Sequence, residues 1–529
     1  MPKTRRRELR VHERHPDTQP VVGGWGALFA VLMAVGLSQP QSSQGNQSTP
    51  QAPLRRDGAQ GGRPGRRIED DRLTLPGLRS LALGAHAAKM RLLWCLESLP
   101  RRRIVGALIL LVVAVGYGAF SRRLDRLWIS APMVFVAAGL ALGPEGADLL
   151  DVQGGSHVVL SFTELTLAAL LFADATTVPL QDLKGDANVP VRLLSVGLLL
   201  TLGLGALVAM LVVPGVTWAE AALIAAVLAP TDAALGMAVV TDKAVPVRIR
   251  RALNIESGLN DGIATPFVTV FLAVVVGEVT AEGGSPVADA LRQIAIAVVV
   301  AVVVGVLGGR VLVAVTKRSW SSHTSRQLFV LTLAFVAYVG SVELGGNGFV
   351  SAFVAGLVFG AVDEGNRAAI SFTEDVALFA SLLVWVIFGS YFAGPVLAGD
   401  FDTSAVVYAV LSLTLIRMVP VGVALLGTGF RTLTSGFMGW FGPRGLASVV
   451  FTLIAVEDLQ GTKIDTPLFQ VATWTILLSV VLHGLTARPL SANYGAKIRS
   501  GPDDLPELIE MPEPRVRRHL QRTSTLSSG

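Results

Sequence analysis

The stretch LAPTDAALGMAVVTDKAVPVRIRRALNIESGLNDGIAT, Leu228 to Thr265, decides how the rest of the chain is read. Thr231 and Asp232 lie in one apolar segment, and Glu256, Ser257, Asn260 and Asp261 lie in the next. A short basic loop carrying Lys243, Arg248, Arg250 and Arg251 joins the two. An ionisable group at bilayer depth costs at least about 2.5–3.5 kcal/mol on insertion scales. Carboxylates kept at that cost in two adjacent apolar segments point to an ion and proton site.

Composition supports a membrane setting. The chain has 529 residues, 51% of them hydrophobic and 16% charged, with a mean hydropathy of +0.57. Soluble domains carry about 25% charged residues. Abundant Gly and Ala among Val, Leu and Ile let membrane helices approach closely. The single cysteine, Cys95, excludes an internal disulfide and any multi-cysteine metal site. A pI near 9.5 follows from Lys and Arg in loops at a membrane. Nucleic-acid binding is not indicated, since no basic stretch is interleaved with aromatics.

Outward from the opening stretch the chain divides into three parts. Residues 1–100 alternate Arg clusters with Gln, Ser, Pro and Gly, a composition typical of disorder. Within them residues 24–38 are apolar but about half the length that a spanning helix needs. Residues 101–488 form a polytopic bundle of about thirteen apolar segments, from 104–120 to 467–487. Residues 489–529 are a short polar tail whose Arg515, Arg517 and Arg518 suit contact with anionic lipid. Lys and Arg concentrate in alternate loops, which puts the C-terminus in the cytoplasm of a multi-pass protein of the cell membrane. Arg101 to Arg103 run against that orientation, and a further span at 24–38 would reconcile them.

The chemistry concentrates at two breaks. Pro230 removes a backbone donor just before Thr231 and Asp232, and freed carbonyls and half-helix ends at such places ligate ions in transporters. In the following segment Glu256 and Asn260 are four apart, as are Ser257 and Asp261, so all four share one stripe of a helix. These hard oxygen ligands suit a monovalent alkali cation or a proton. Arg417, deep in the eleventh segment, needs a counter-ion, and Glu256 is the candidate. A second interruption, Gly442-Pro443-Arg444-Gly445, falls in the twelfth segment, seven after the first. That spacing predicts two inverted repeats with crossed discontinuous helices. Arg444 either holds the site's field positive or reaches a cytoplasmic cavity.

At APTDAALG (229–236), ESGLNDG (256–262) and FGPRGL (441–446) the sequence resembles the monovalent cation:proton antiporter family, in its bacterial P-type sodium/proton exchanger branch. The resemblance covers the whole bundle. It implies an all-α fold of thirteen transmembrane helices in a homodimer, exchanging Na+ or Li+ for H+ by alternating access. It carries the Na+ ligands onto Thr231, Asp232, Ser257 and Asp261, and the family's structural ion pair onto Glu256 and Arg417. Asn260 marks the asparagine-aspartate variant, which goes with electroneutral one-for-one exchange and a part in pH homeostasis. Ala233 departs from the proline that many relatives carry after the aspartate. No cofactor is implied beyond the transported Na+ and H+. Protons and Na+ then compete for the same oxygens, because burial raises a carboxylate's pKa and a bound cation lowers it.

Other readings are weaker. K+ replaces Na+ as the alternative within the same class. A cation channel does not need a charge-neutralising site at broken helices. An intramembrane aspartyl protease would carry Gly-x-Gly-Asp, whereas Asn260 precedes Asp261. The expectation is a secondary transporter and not an enzyme.

Overall fold

Helix starts in this chain are written in its caps. Thr217 and Glu220 form a reciprocal capping box, with Thr217 N donating to Glu220 Oε2 at 2.6 Å and Glu220 N to Thr217 Oγ1 at 3.3 Å. Asp402 Oδ1 accepts from the amides of Ser404 and Ala405, and Ser322 accepts from that of Ser325. Pro132 and Pro286 sit in first turns, where their missing N–H costs nothing.

The computed structural model describes residues 101–150, 157–177, 188–280, 285–362, 367–459, 465–502 and 504–513. The expected extension 1–100 with its apolar stretch 24–38, and Arg515, Arg517 and Arg518, lie outside them. Among the described residues there is no strand. The helices in order are α1 (Arg101–Arg126), α2 (Ala131–Leu142), α3 (His157–Thr177), α4 (Asn188–Val212), α5 (Trp218–Leu228) and α6 (Ala233–Val240). They continue with α7 (Val247–Thr280), α8 (Pro286–Lys317), α9 (His323–Glu343), α10 (Gly348–Val362) and α11 (Arg367–Ile387, extended by a π-turn to Ala398). The last are α12 (Thr403–Leu413), α13 (Leu415–Ala424), α14 (Thr432–Trp440), α15 (Leu446–Asp458) and α16 (Asp465–Arg499).

Nine helices among the described residues are long and apolar enough to cross a membrane, where the sequence leads one to expect about thirteen segments. The shortfall has a structural reason. Two of the other four segments are the short helices α2 and α10, of 12 and 15 residues. The remaining two are broken in the middle, so α5/α6 and α14/α15 each divide one apolar stretch into two short helices.

Burial grades from rim to centre. Only 6% of the apolar window of α1 is buried, against 61% for α3, so α1 turns Leu108, Leu111, Val112 and Val115 outward from the bundle. Every residue of α5 from Ala221 to Leu228 is buried, as is most of α15. At the centre α5 packs on α4 and α7, and α15 packs on α5, α7 and α16. The two broken helices are therefore the inner elements of a multi-pass membrane protein.

Candidate ion site at the crossing of two broken helices

A break inside a buried helix strands backbone groups, each costing about 1–3 kcal/mol if unsatisfied. At the first break, between α5 and α6, the carbonyls of Ala229 and Pro230 lose their helical partners. The guanidinium of Arg444 supplies replacements, Nη1 donating to Ala229 O at 2.9 Å and to Pro230 O at 3.5 Å. Arg444 also donates through Nη2 to Ser412 O at 3.4 Å. Its side chain is 0% exposed, so it faces the break and reaches no cavity.

Asp232 does the reverse service for amides. Its Oδ1 accepts from Leu235 N at 3.0 Å, capping α6, and its Oδ2 accepts from Leu446 N at 2.9 Å, capping α15. One carboxylate thus sits on the positive ends of both half-helices. Asp232 N in turn donates to Pro443 O at 2.8 Å. The backbone of Gly445 runs so close that a Cβ there would collide with the Asp232 carboxylate, and one at Gly442 would collide with the guanidinium of Arg417. These two glycines explain why the second interruption reads Gly-Pro-Arg-Gly.

The stripe of α7 lies against this crossing. Glu256, Ser257, Asn260 and Asp261 are all buried. Asn260 Nδ2 donates to Thr231 Oγ1 at 3.2 Å and to Ala229 O at 3.5 Å, which joins the stripe to the first break. Ser257 spends its proton on Leu253 O at 2.9 Å, leaving its lone pairs for a ligand. Asp261 stands one turn on from Ser257 along the same face. Glu256 forms an ion pair with Arg417 of α13, with Nη1–Oε1 at 2.6 Å and both side chains buried. The structure therefore brings Thr231, Asp232, Asn260, Glu256, Arg417 and Arg444 to one buried crossing, with Ser257 and Asp261 on the same stripe of α7. Among the described residues no group of three or more His, Cys, Asp or Glu could hold a metal ion of the kind such clusters bind.

Sequence reasoning missed two residues here. Ser479 and His483 of α16 both touch the second break, Ser479 Oγ accepting from Arg444 N at 2.7 Å. The available signal was a histidine well inside an apolar segment, four residues after a serine.

Discontinuous helices meeting over buried acids are the architecture of ion-coupled secondary transporters. The chain belongs to the sodium/hydrogen exchanger family, whose transmembrane family model matches residues 108–493. It is similar to the K(+)/H(+) antiporter NhaP2 of Shewanella sp. (strain MR-4), 24% identical over 390 residues that make up 72% of this chain and 65% of that relative. It is also similar to the Na(+)/H(+) antiporter of Saccharomyces cerevisiae, 28% identical over 65% of this chain and 36% of that protein. The chain thus spans just under two thirds of the bacterial relative and about a third of the yeast one. The sodium proton antiporter MjNhaP1 from Methanocaldococcus jannaschii shares the fold, with a TM-score of 0.62 at 18% identity over 76% of this chain and all of that one.

Proposed function

We propose that this chain exchanges Na+ or Li+ for H+ across the cell membrane, one for one, at a site formed by Thr231, Ser257 and Asp261. The observation that carries the reading is the Asn260–Thr231 hydrogen bond, which ties the first break to the stripe holding Ser257 and Asp261. Oxygen ligands from two helices, at the edge of freed carbonyls, suit a small alkali cation. Asp232, with each oxygen accepting a backbone amide, ties the starts of α6 and α15 together beside the cation. Asn260 and Arg444 hold the first break in shape, and Glu256 with Arg417 braces α7 against α13. Exchange follows when the site carries either a cation or a proton but not both, and opens to each side in turn. The working unit is a homodimer with its C-terminus in the cytoplasm, and no cofactor takes part.

K+ is the second reading. A relative named as a K(+)/H(+) antiporter and one named as a Na(+)/H(+) antiporter match at 24% and 28% identity, which favours neither cation.

The deciding measurement is proton flux in proteoliposomes on addition of NaCl, LiCl or KCl, with and without a valinomycin-clamped potential. Na+ or Li+ dissipating the pH gradient regardless of potential is the expected result. A response to K+ alone moves the substrate and keeps the mechanism. Folded protein with no cation-dependent flux overturns both readings.

A further inference from the structure

The second break carries a construction of its own. In a continuous α-helix the amide of Arg444 would donate to the carbonyl of Trp440, four residues earlier. Here that bond is missing: Trp440 O accepts from Gly442 N at 2.9 Å instead, and two side chains of α16 link residues 444 and 440. Arg444 N donates to Ser479 Oγ at 2.7 Å. Ser479 Oγ lies 3.1 Å from His483 Nδ1, and His483 Nε2 lies 2.8 Å from Trp440 O. The chain of contacts runs from the amide of residue 444 to the carbonyl of residue 440, the same two groups a helix would join directly.

Ser479 Oγ accepts the Arg444 N–H and keeps its own proton to give. His483 Nδ1 faces two oxygens of Ser479, Oγ at 3.1 Å and the backbone carbonyl at 2.9 Å, while Nε2 faces Trp440 O at 2.8 Å. The series uses the tautomer with its hydrogen on Nε2, which donates to Trp440 O and accepts from Ser479 Oγ; the other tautomer would donate from Nδ1 to Ser479 O. His483 is 1% exposed and Ser479 0%, so water does not compete for these groups. The imidazole packs near the rings of Trp440 at 5.3 Å and Phe441 at 6.4 Å between centroids. Trp440 is itself anchored, its Nε1 donating to Thr486 Oγ1 of α16 at 2.9 Å. Ser479, His483 and Thr486 thus present one face of α16 to the break.

We infer that Ser479 and His483 are positioning residues that splice the interrupted helix α14/α15, replacing its missing backbone hydrogen bond and holding the break at the width the ion site requires. The splice acts on the site through Arg444. Arg444, whose amide it fixes, is the residue whose guanidinium satisfies Ala229 and Pro230 at the first break. Its neighbour Leu446 donates its amide to Asp232. Neither Ser479 nor His483 touches the proposed cation ligands. The inference rests on the proposed exchange activity for its transport arm only.

The test compares His483→Ala, Ser479→Ala and His483→Gln in the full-length chain. Glutamine offers one donor and one acceptor in place of Nε2 and Nδ1, so it can restore the series without a titratable ring. Two readouts are taken: cation-driven proton flux in proteoliposomes, and backbone amide deuterium exchange over residues 440–447. His483→Ala and Ser479→Ala are expected to slow flux by about tenfold or more, as misplacement of a site does. They are also expected to speed amide exchange at Arg444 by about tenfold. His483→Gln is expected to recover most of both. Wild-type flux or unchanged amide exchange in Ser479→Ala overturns the inference, as does a glutamine variant no better than alanine. If His483→Ala does not reach the membrane, the serine and glutamine variants carry the comparison. Wild-type protein that exchanges no cation refutes the proposed function, while the deuterium arm still decides the splice.

Discussion

Helix α7 carries two arginine–carboxylate contacts, at its two ends of environment, and they are not equivalent. At its start Arg250 makes a two-pronged pair with Glu513, at 2.7 and 3.1 Å, but the carboxylate side of that pair is 65% exposed. Six residues on, Glu256 pairs with Arg417 at 2.6 Å, with side chains only 3% and 5% exposed. The exposed pair is two-pronged, whereas the buried pair is a single close contact, Nη1 to Oε1, in very different surroundings. In water an ion pair gains about 0–1 kcal/mol, while breaking a dry one strands a charge at about 3–5 kcal/mol. Along one helix, then, charge serves first as loose surface attachment and then as internal framework, with the polar stripe of Ser257, Asn260 and Asp261 adjoining the second.

The sharpest way to separate these regions is to remove charge without removing volume. Asp261→Asn is expected to abolish cation-driven proton flux while thermal stability in detergent stays near that of the parent. Full flux in that variant would remove Asp261 from the site. Glu256→Gln is expected to cost about 3–5 kcal/mol of stability by leaving Arg417 buried without its partner. Pairing it with Arg417→Met should recover most of that loss, and a double variant as unstable as the single would contradict the pairing argument.

Glu507 tests the boundary between the two regimes. It lies just beyond α16, is 0% exposed, and its Oε1 accepts from Arg431 N at 2.9 Å and Thr434 Oγ1 at 2.6 Å at the start of α14. Glu507→Ala should cost about 1–3 kcal/mol, between the dry and wet pairs. A thermal melt indistinguishable from the parent would show that this end of α14 is held by other contacts.

Glu513→Gln should show the smallest effect, under about 1 kcal/mol. It should also depend on pH. Hydrogen bonds from Arg250 hold the Glu513 carboxyl below its ordinary value of 4.5. A depressed carboxylate stabilises above its unfolded pKa, and that contribution fades as pH falls through the folded value. Melting curves of parent and variant should differ slightly at pH 7 and converge in acid below the usual carboxylate range. A gap that widens in acid would reverse the assignment.

Much of this was legible in the chain itself. Pro230 ahead of Thr231 and Asp232, and Gly442-Pro443-Arg444-Gly445, are local signals, because proline and glycine interrupt a helix wherever it packs. The four-residue spacing of the α7 stripe is likewise local. What could not be read is reciprocity across sequence distance. Nothing in the segment around Asp232 reveals that its second oxygen caps a helix starting at Leu446, 214 residues away. Arg444 left two readings open because its direction depends on which carbonyls another break exposes. Glu507 sits in a tail that reads as polar and solvated, yet it is buried because an uncapped helix end lies within reach. The count of long helices came out lower in part because two apolar segments are cut in half at the crossing, and in part because α2 and α10 are short.

The missing Cβ at Gly445 has a mechanical corollary. With the glycine backbone lying directly on the Asp232 carboxylate, the two broken helices have no clearance to slide or swing past each other at their crossing. On the exchange cycle proposed above, this close approach would carry α5/α6 and α14/α15 together as one body, with the sliding surface displaced to helices farther out.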